Sequence, residues 1–158
     1  MTINELLGVA LKIEGAGYSY YEKLSNVSSG TLKDLFLELA NEEREHAKIF
    51  EEILSNFKDE KNLNLNEEEI GYLKAFADDV IFPKLNIEKI PTSVKDAIKF
   101  AIEVEKDSII FYNDIKMLVP DNSAIEKVIE EEKKHMKKLI LRLREDDEFD
   151  IYSEGSKI

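Results

Sequence analysis

Apolar residues recur at helical spacing along four long stretches of the chain, and turn-forming clusters separate them. The first stretch runs from about Asn4 to Leu24, with Leu7, Ala10, Gly17, Tyr21 and Leu24 in one row, and ends in NVSSG. The second begins near Thr31 and carries Leu32, Leu35, Phe36, Leu39, Ala40, Ala47, Phe50, Ile53, Leu54 and Phe57 at i, i+3, i+4 intervals. The third follows IPTSVKD, where Thr92 or Ser93 can cap a helix with Asp96 in its first turn, and reaches about Val119 before PDNS stops it. The fourth opens on Ser123 and Glu126, spaced as a capping box, and continues to about Glu145. Between the second and third lie about 35 residues, 58–92, far more than a helix hairpin needs. That segment must cross the bundle, and Ile70, Leu73, Phe76, Ala77 and Val80 predict a short amphipathic helix along its outside before Pro83. The pattern predicts an all-α fold: a four-helix bundle of two antiparallel hairpins joined by one long crossover. We expect one domain over residues 1–158, with its core at about 3–145 and a loose tail at 146–158.

Each apolar row is interrupted near its middle by polar residues. Glu14 sits between Ala10 and Gly17, and Glu105 between Ala101 and Ser108. Glu43 and His46 lie between Leu39 and Phe50, and Glu132 and His135 between Ile129 and Leu139. These intruders recur in an internal repeat. ALKIEGAGYSYYEKL (10–24) aligns with AIEVEKDSIIFYNDI (101–115), placing Glu14 over Glu105 and Tyr21 over Tyr112. NEEREHAKIF (41–50) aligns with EEEKKHMKKL (130–139), placing Glu43 over Glu132 and His46 over His135.

Composition narrows the chemistry. The net charge of −12 favours cations and disfavours nucleic acid or an anionic membrane as a partner. No apolar run is long enough to span a membrane, and the N-terminal segment is acidic where a signal peptide is basic, so a cytoplasmic location is expected. The absence of cysteine removes disulfides, thiolate catalysis and sulfur-ligated metal centres, leaving histidine and carboxylate for any metal chemistry.

Four ionised glutamates buried at one depth of a bundle would cost many kcal/mol without a counter-charge, and no Lys or Arg occupies these inward positions. Two divalent ions supply that charge, and carboxylates with two imidazoles suit iron or manganese better than a structural zinc. The candidate ligands are therefore Glu14, Glu43, His46, Glu105, Glu132 and His135, with Glu43 and Glu132 bridging. An acidic bundle whose Glu–His pairs face water is the plain alternative. With 23 glutamates in 158 residues, both histidines following a glutamate by three places is about a 2% coincidence. The repeat-equivalent interior pair Glu14 and Glu105 weighs further against it. Glu42, Glu45, Glu51, Glu52, Glu130, Glu131, Lys133 and Lys134 read as solvated faces. Tyr21 and Tyr112 either fill the core or hydrogen-bond a ligand carboxylate, and Tyr18, Tyr20 and Phe111 read as packing.

Taken together, AIEVEKDSIIFY, NEEREHA, EEEKKH and ALKIEGAGYSYY resemble, over about residues 3–145, the rubrerythrin-like branch of the ferritin-like superfamily. The resemblance implies a ferritin-like four-helix bundle with two iron ions that reacts with hydrogen peroxide or dioxygen, commonly as a homodimer. Rubrerythrins proper add a cysteine-rich rubredoxin domain as electron source. Its absence here implies an external electron-donor protein. They also tend to carry a further glutamate three residues after the third-helix ligand, where this chain has Ser108, so the six-ligand set looks as much like bacterioferritin. Against a haem-binding bacterioferritin, Arg44 rather than methionine follows Glu43. Three readings result: a peroxide-reducing oxidoreductase, a ferroxidase or iron-storage protein, and a metal-free acidic helical interaction module.

Overall fold

The computed structural model describes residues 2–56, 67–86, 88, 93–119 and 122–155, without the side chains of 147–155. Four long helices dominate: α1 (Ile3–Asn26), α2 (Gly30–Asn56), α5 (Val94–Lys116) and α6 (Ser123–Gly155). The crossover contributes α3 (Glu67–Phe76) and the single turn α4 (Phe82–Lys84), joined by a π-helical turn at Ala77–Ile81. α1 packs along α2 and α5 along α6, each pair joined by a short connection that forces the helices antiparallel. The fold is the ferritin-like bundle expected.

Local chemistry sets the helix ends. Thr2 and Glu5 form a reciprocal capping box on α1, with Glu5 N–H donating to Thr2 Oγ1 (3.2 Å) and Thr2 N–H to Glu5 Oε2 (2.8 Å). Gly30, at φ +62°, makes the reversal into α2 in a conformation that disfavours a side chain. Of the two candidates for the α5 cap, Ser93 serves, accepting from Asp96 N–H at 3.3 Å. α6 begins one residue earlier than the capping-box reading: Ser123 is already helical and Glu126 N–H donates to the Asn122 carbonyl (2.9 Å).

The core follows the apolar rows. Leu7, Ala10, Phe36, Leu39, Phe50, Ile98, Ala101, Ile125, Val128 and Leu139 are all buried, and each large aliphatic or aromatic side chain contributes about 1.5–3 kcal/mol. Phe57 lies outside the described residues. Two expectations change. In the crossover, Ile81 rather than Val80 completes the buried row after Ile70, Leu73 and Ala77. The cause is the π turn, in which Phe82 N–H donates to Ala77 O and one extra residue rotates the helical positions after it. At the other end, the backbone of α6 stays helical to Gly155, where the weak periodicity after Glu145 predicted a loose tail.

Candidate metal centre

Each of the four long helices sends its polar intruders to the middle of the bundle. Glu14 comes from α1, Glu43 and His46 from α2, Glu105 from α5, and Glu132 and His135 from α6. All six side chains are buried, the most exposed being Glu43 at 4%. They fall into two groups, Glu14, Glu43, His46, Glu132 and Glu43, Glu105, Glu132, His135, and within each group one donor atom per residue lies within 4.8 Å of the others. Glu43 and Glu132 belong to both groups. Either group could hold one metal ion, and the shared carboxylates lie where a bridge between two ions would be.

The histidines present Nδ1 inward. His46 Nδ1 lies 2.8 Å from Glu132 Oε1 and 3.7 Å from Glu14 Oε2. His135 Nδ1 lies 3.2 Å from Glu43 Oε1 and 3.5 Å from Glu105 Oε1. The rings stack nearly parallel, 16° apart with centroids at 5.5 Å.

Their outer nitrogens reveal two residues that the sequence reading assigned to solvent. His46 Nε2 is hydrogen-bonded to Glu131 Oε2 (2.5 Å), and His135 Nε2 to Glu42 Oε2. Each glutamate is therefore only partly solvated, and each reaches across from the opposite helix. A carboxylate on Nε2 favours a proton there and leaves Nδ1 free as a donor to metal. A signal was present: Glu42 and Glu131 are repeat-equivalent and both acidic, whereas the equivalent pair Glu45 and Lys134 differs in sign.

The tyrosines resolve to the polar alternative. Tyr21 O–H donates to Glu105 Oε1 (2.6 Å) and Tyr112 O–H to Glu14 Oε1 (2.7 Å), each from the opposite half of the repeat. Both phenols are held well above their ordinary pKa by burial first and by the neighbouring carboxylates second, so they remain donors. Tyr20 and Phe111 pack edge-on against them. The Tyr18 hydroxyl oxygen accepts from Arg44 Nη2 (2.9 Å) on the periphery.

Close approach of α1 to α2 depends on Gly17. A Cβ at this position would lie 3.1 Å from Glu43 Oε2, so the absent side chain leaves room for the carboxylate.

The electrostatics describe a cluster built for cations. Burial pushes the Glu43 carboxyl well above its usual range, and the Glu14 and Glu105 carboxylates push it further. Burial disfavours the charged imidazoles, yet the facing carboxylates outweigh it and raise both: His46 to about 9, chiefly through Glu14 and Glu131, and His135 to about 9, chiefly through Glu105 and Glu42. In Glu14, burial opposes ionisation, but the nearby Glu43 carboxyl and His46 ring, with the Tyr112 hydroxyl, outweigh it and hold the carboxyl below its usual value. Protons on the histidines thus serve as provisional counter-charge. They do not complete the site. Among the described residues, the buried atoms Glu14 Oε2, Glu43 Oε1, Glu105 Oε2 and His135 Nδ1 have no hydrogen-bond partner. Four orphaned donor-capable atoms converging on one volume fit a pair of divalent ions with hard, mixed O and N ligands.

Paired carboxylate–histidine groups inside an antiparallel bundle with a long crossover define a ferritin-like protein of the carboxylate type. Residues 5–143 match the model of the rubrerythrin family, and the chain belongs to that family. Among solved structures, it is similar to a protein from Thermotoga maritima put forward as a ferritin-like diiron-carboxylate protein. The two share 29% identity over 92% of this chain and 97% of that one, with a TM-score of 0.71. No curated protein matches. Among the described residues, no helix is long and apolar enough to cross a membrane.

Proposed function

We propose that the chain is a non-haem di-iron oxidoreductase that reduces hydrogen peroxide, and more slowly dioxygen, with electrons from an external donor protein. One observation carries this reading: two four-residue donor groups share Glu43 and Glu132 in a buried cluster that is incomplete without cations. Glu14 and His46 would hold one iron, Glu105 and His135 the other, and Glu43 and Glu132, common to both groups, would contribute to each. Manganese or a mixed pair fits the same donors.

Bound in the ferrous state, two irons would supply one electron each, the two that H2O2 + 2 e− + 2 H+ → 2 H2O requires. The chain does the rest. Tyr21 and Tyr112 fix the terminal carboxylates Glu105 and Glu14 through their phenol protons. Glu131 and Glu42 fix the imidazoles at Nε2 and, being 32% and 37% exposed, connect those ring protons to solvent. The apolar walls of Tyr20, Phe36, Phe50 and Phe111 exclude water from the remaining sides. We take the working form to be a cytoplasmic homodimer.

The test is a stopped-flow titration of the anaerobically reduced, iron-loaded protein. Oxidation by about one peroxide per protein, faster than by dioxygen, is expected, and the reverse preference would overturn the proposal. A second reading, a ferroxidase taking ferrous iron as substrate, is favoured by the buried Ser108, which leaves six candidate ligands rather than seven. Sustained turnover of added Fe(II) with mineral formation would select it.

A further inference from the structure

Polar ties cross the seam between α2 and α6 from one end to its middle: Arg142 to Thr31 (2.7 Å), Lys138 to Glu38 (2.6 Å), His135 to Glu42, and His46 to Glu131. Beside the last two lies a cleft of about 710 Å³ that continues along Ile49 and Glu52 of α2 and Lys127 of α6. Its floor includes Glu42 and Glu131, the carboxylates on the two histidine rings. Candidate ligands are one side chain from solvent here. On the side formed by α1 and α5, the cluster is instead closed by Tyr20, Tyr21, Phe111 and Tyr112, each at most 1% exposed.

Among the described residues, four glutamates and four lysines line the cleft together with Ile49, so its charges cancel. Some are matched outright, Lys48 with Glu45 at 3.1 Å and Lys138 with Glu38 at 2.6 Å. Neither an anion nor a cation gains from such a lining. An uncharged molecule that both donates and accepts hydrogen bonds does gain, because it can exchange them with carboxylate and ammonium alike. Hydrogen peroxide is such a molecule; dioxygen, which donates none, is not. Ile49, the one uncharged side chain of this described lining, governs width rather than polarity.

We propose that this cleft is the entry path of hydrogen peroxide, with Ile49 setting its width and Glu42 and Glu131 yielding at its floor. The inference rests on the oxidoreductase reading above and names the route by which the substrate of that reading arrives. Both floor carboxylates end long, part-exposed side chains, whereas all six candidate ligands are buried. Passage therefore moves a rim carboxylate and leaves the donors in place.

The experiment compares wild type with Ile49→Trp, Ile49→Ala and Ile109→Trp, the last altering a part-buried isoleucine of α5 outside the cleft lining. Each protein is iron-loaded to the same metal content, reduced, freed of reductant and mixed with oxidant in stopped flow. In Ile49→Trp, oxidation by hydrogen peroxide should be at least about 10-fold slower, and in Ile109→Trp within about two-fold of wild type. Ile49→Ala should favour the bulkier tert-butyl hydroperoxide over hydrogen peroxide by at least about 5-fold more than wild type does, a measurement that stands even where the tryptophan variant fails to fold. The hydrogen peroxide rate should not vary with salt, since the entrant is uncharged. A readout free of redox chemistry uses the zinc-loaded protein, in which Ile49→Trp should slow exchange of the His46 and His135 Nε2 protons with water by NMR. Wild-type behaviour in both Ile49 variants, equal slowing in Ile109→Trp, or a rate that changes steeply with salt overturns the cleft as the route. Failure of peroxide to oxidise the reduced wild type overturns the oxidoreductase reading instead, and the zinc measurement still tells whether the cleft is the way in.

Discussion

Glu43 is the residue on which the site turns, because it alone among the α1 and α2 carboxylates belongs to both donor groups. Glu43→Gln keeps the shape of a carboxyl whose ionisation burial and the Glu14 and Glu105 carboxylates disfavour, so the metal-free fold should lose less than about 1 kcal/mol in denaturant melts. Metal content by mass spectrometry should nonetheless fall from two ions to nearly none, whereas Glu14→Gln should retain one. Gly17→Ala tests the same carboxylate from behind: helix propensity gains about 1 kcal/mol, but the methyl crowds Glu43 Oε2, and Co(II) titration should show affinity reduced about 10-fold. Glu131→Ala leaves His46 Nε2 without its acceptor. We expect a 10–100-fold loss of metal affinity and, in the zinc-loaded protein, a fast-exchanging Nε2 proton by NMR, with Glu131→Gln restoring part of both. The six central residues were legible in the sequence because each breaks an apolar row at a place the repeat duplicates. Glu42 and Glu131 were not, since one position along a helix turns a side chain by about 100° and periodicity alone places both toward water. Only the reach of a long side chain across a helix pair brings them back.

Among the elements, the four long helices were legible to within a few residues, the C-terminal end of α6 excepted, because their apolar period and caps agree, and the crossover helix because its row is short but regular. Its continuation was not. A π turn leaves no mark in binary pattern beyond a one-residue slip, which moved burial from Val80 to Ile81. The extended end of α6 escaped for a related reason: helical backbone can persist through DDEFDIYSEG without an apolar face to announce it. What pins the crossover is polar. Lys84 on α4 donates to Asp107 Oδ2 on α5 at 2.6 Å, with Glu103 at the edge of the same contact (4.0 Å). Asp107 is 7% exposed, two residues from Glu105, so this pair ties the outer helix to the one that presents a candidate ligand. Asp107→Ala should cost about 1–3 kcal/mol in chemical denaturation, and hydrogen exchange should quicken in residues 77–85 before it does in α1 or α2. Uniform exchange across the four long helices and the crossover would show instead that the crossover is held by its apolar row alone.

At the scale of the whole molecule, the repeat makes the two halves lend each other what neither can supply: Tyr21 serves Glu105, Tyr112 serves Glu14, Glu131 serves His46 and Glu42 serves His135. The bundle therefore closes around its charge only when both hairpins are docked, and a metal ion held there would compete with protons for the same donor atoms. In the metal-free protein His46 and His135 titrate near 9 against an ordinary 6.5. Below 6.5 folded and unfolded chains both hold these protons and the stabilisation from the imidazolium–carboxylate contacts is fully present. From 6.5 to 9 the folded state binds more protons than the unfolded, so stability must fall as pH rises, and it is lost above about 9. The raised Glu43 carboxyl acts in the same direction. Metal binding at these histidines would have the opposite slope, because each ion would displace a proton from the nitrogen it takes. Calorimetry in buffers of different ionisation enthalpy should register release of about two to three protons per protein on loading near pH 7.5. Thermal melts should show the metal-free midpoint dropping between pH 6.5 and 9 while the gap to the loaded protein widens, with ligand at 100 times its dissociation constant adding about 2.7 kcal/mol. A gap that narrows with rising pH would mean that the histidines are not where the metal binds.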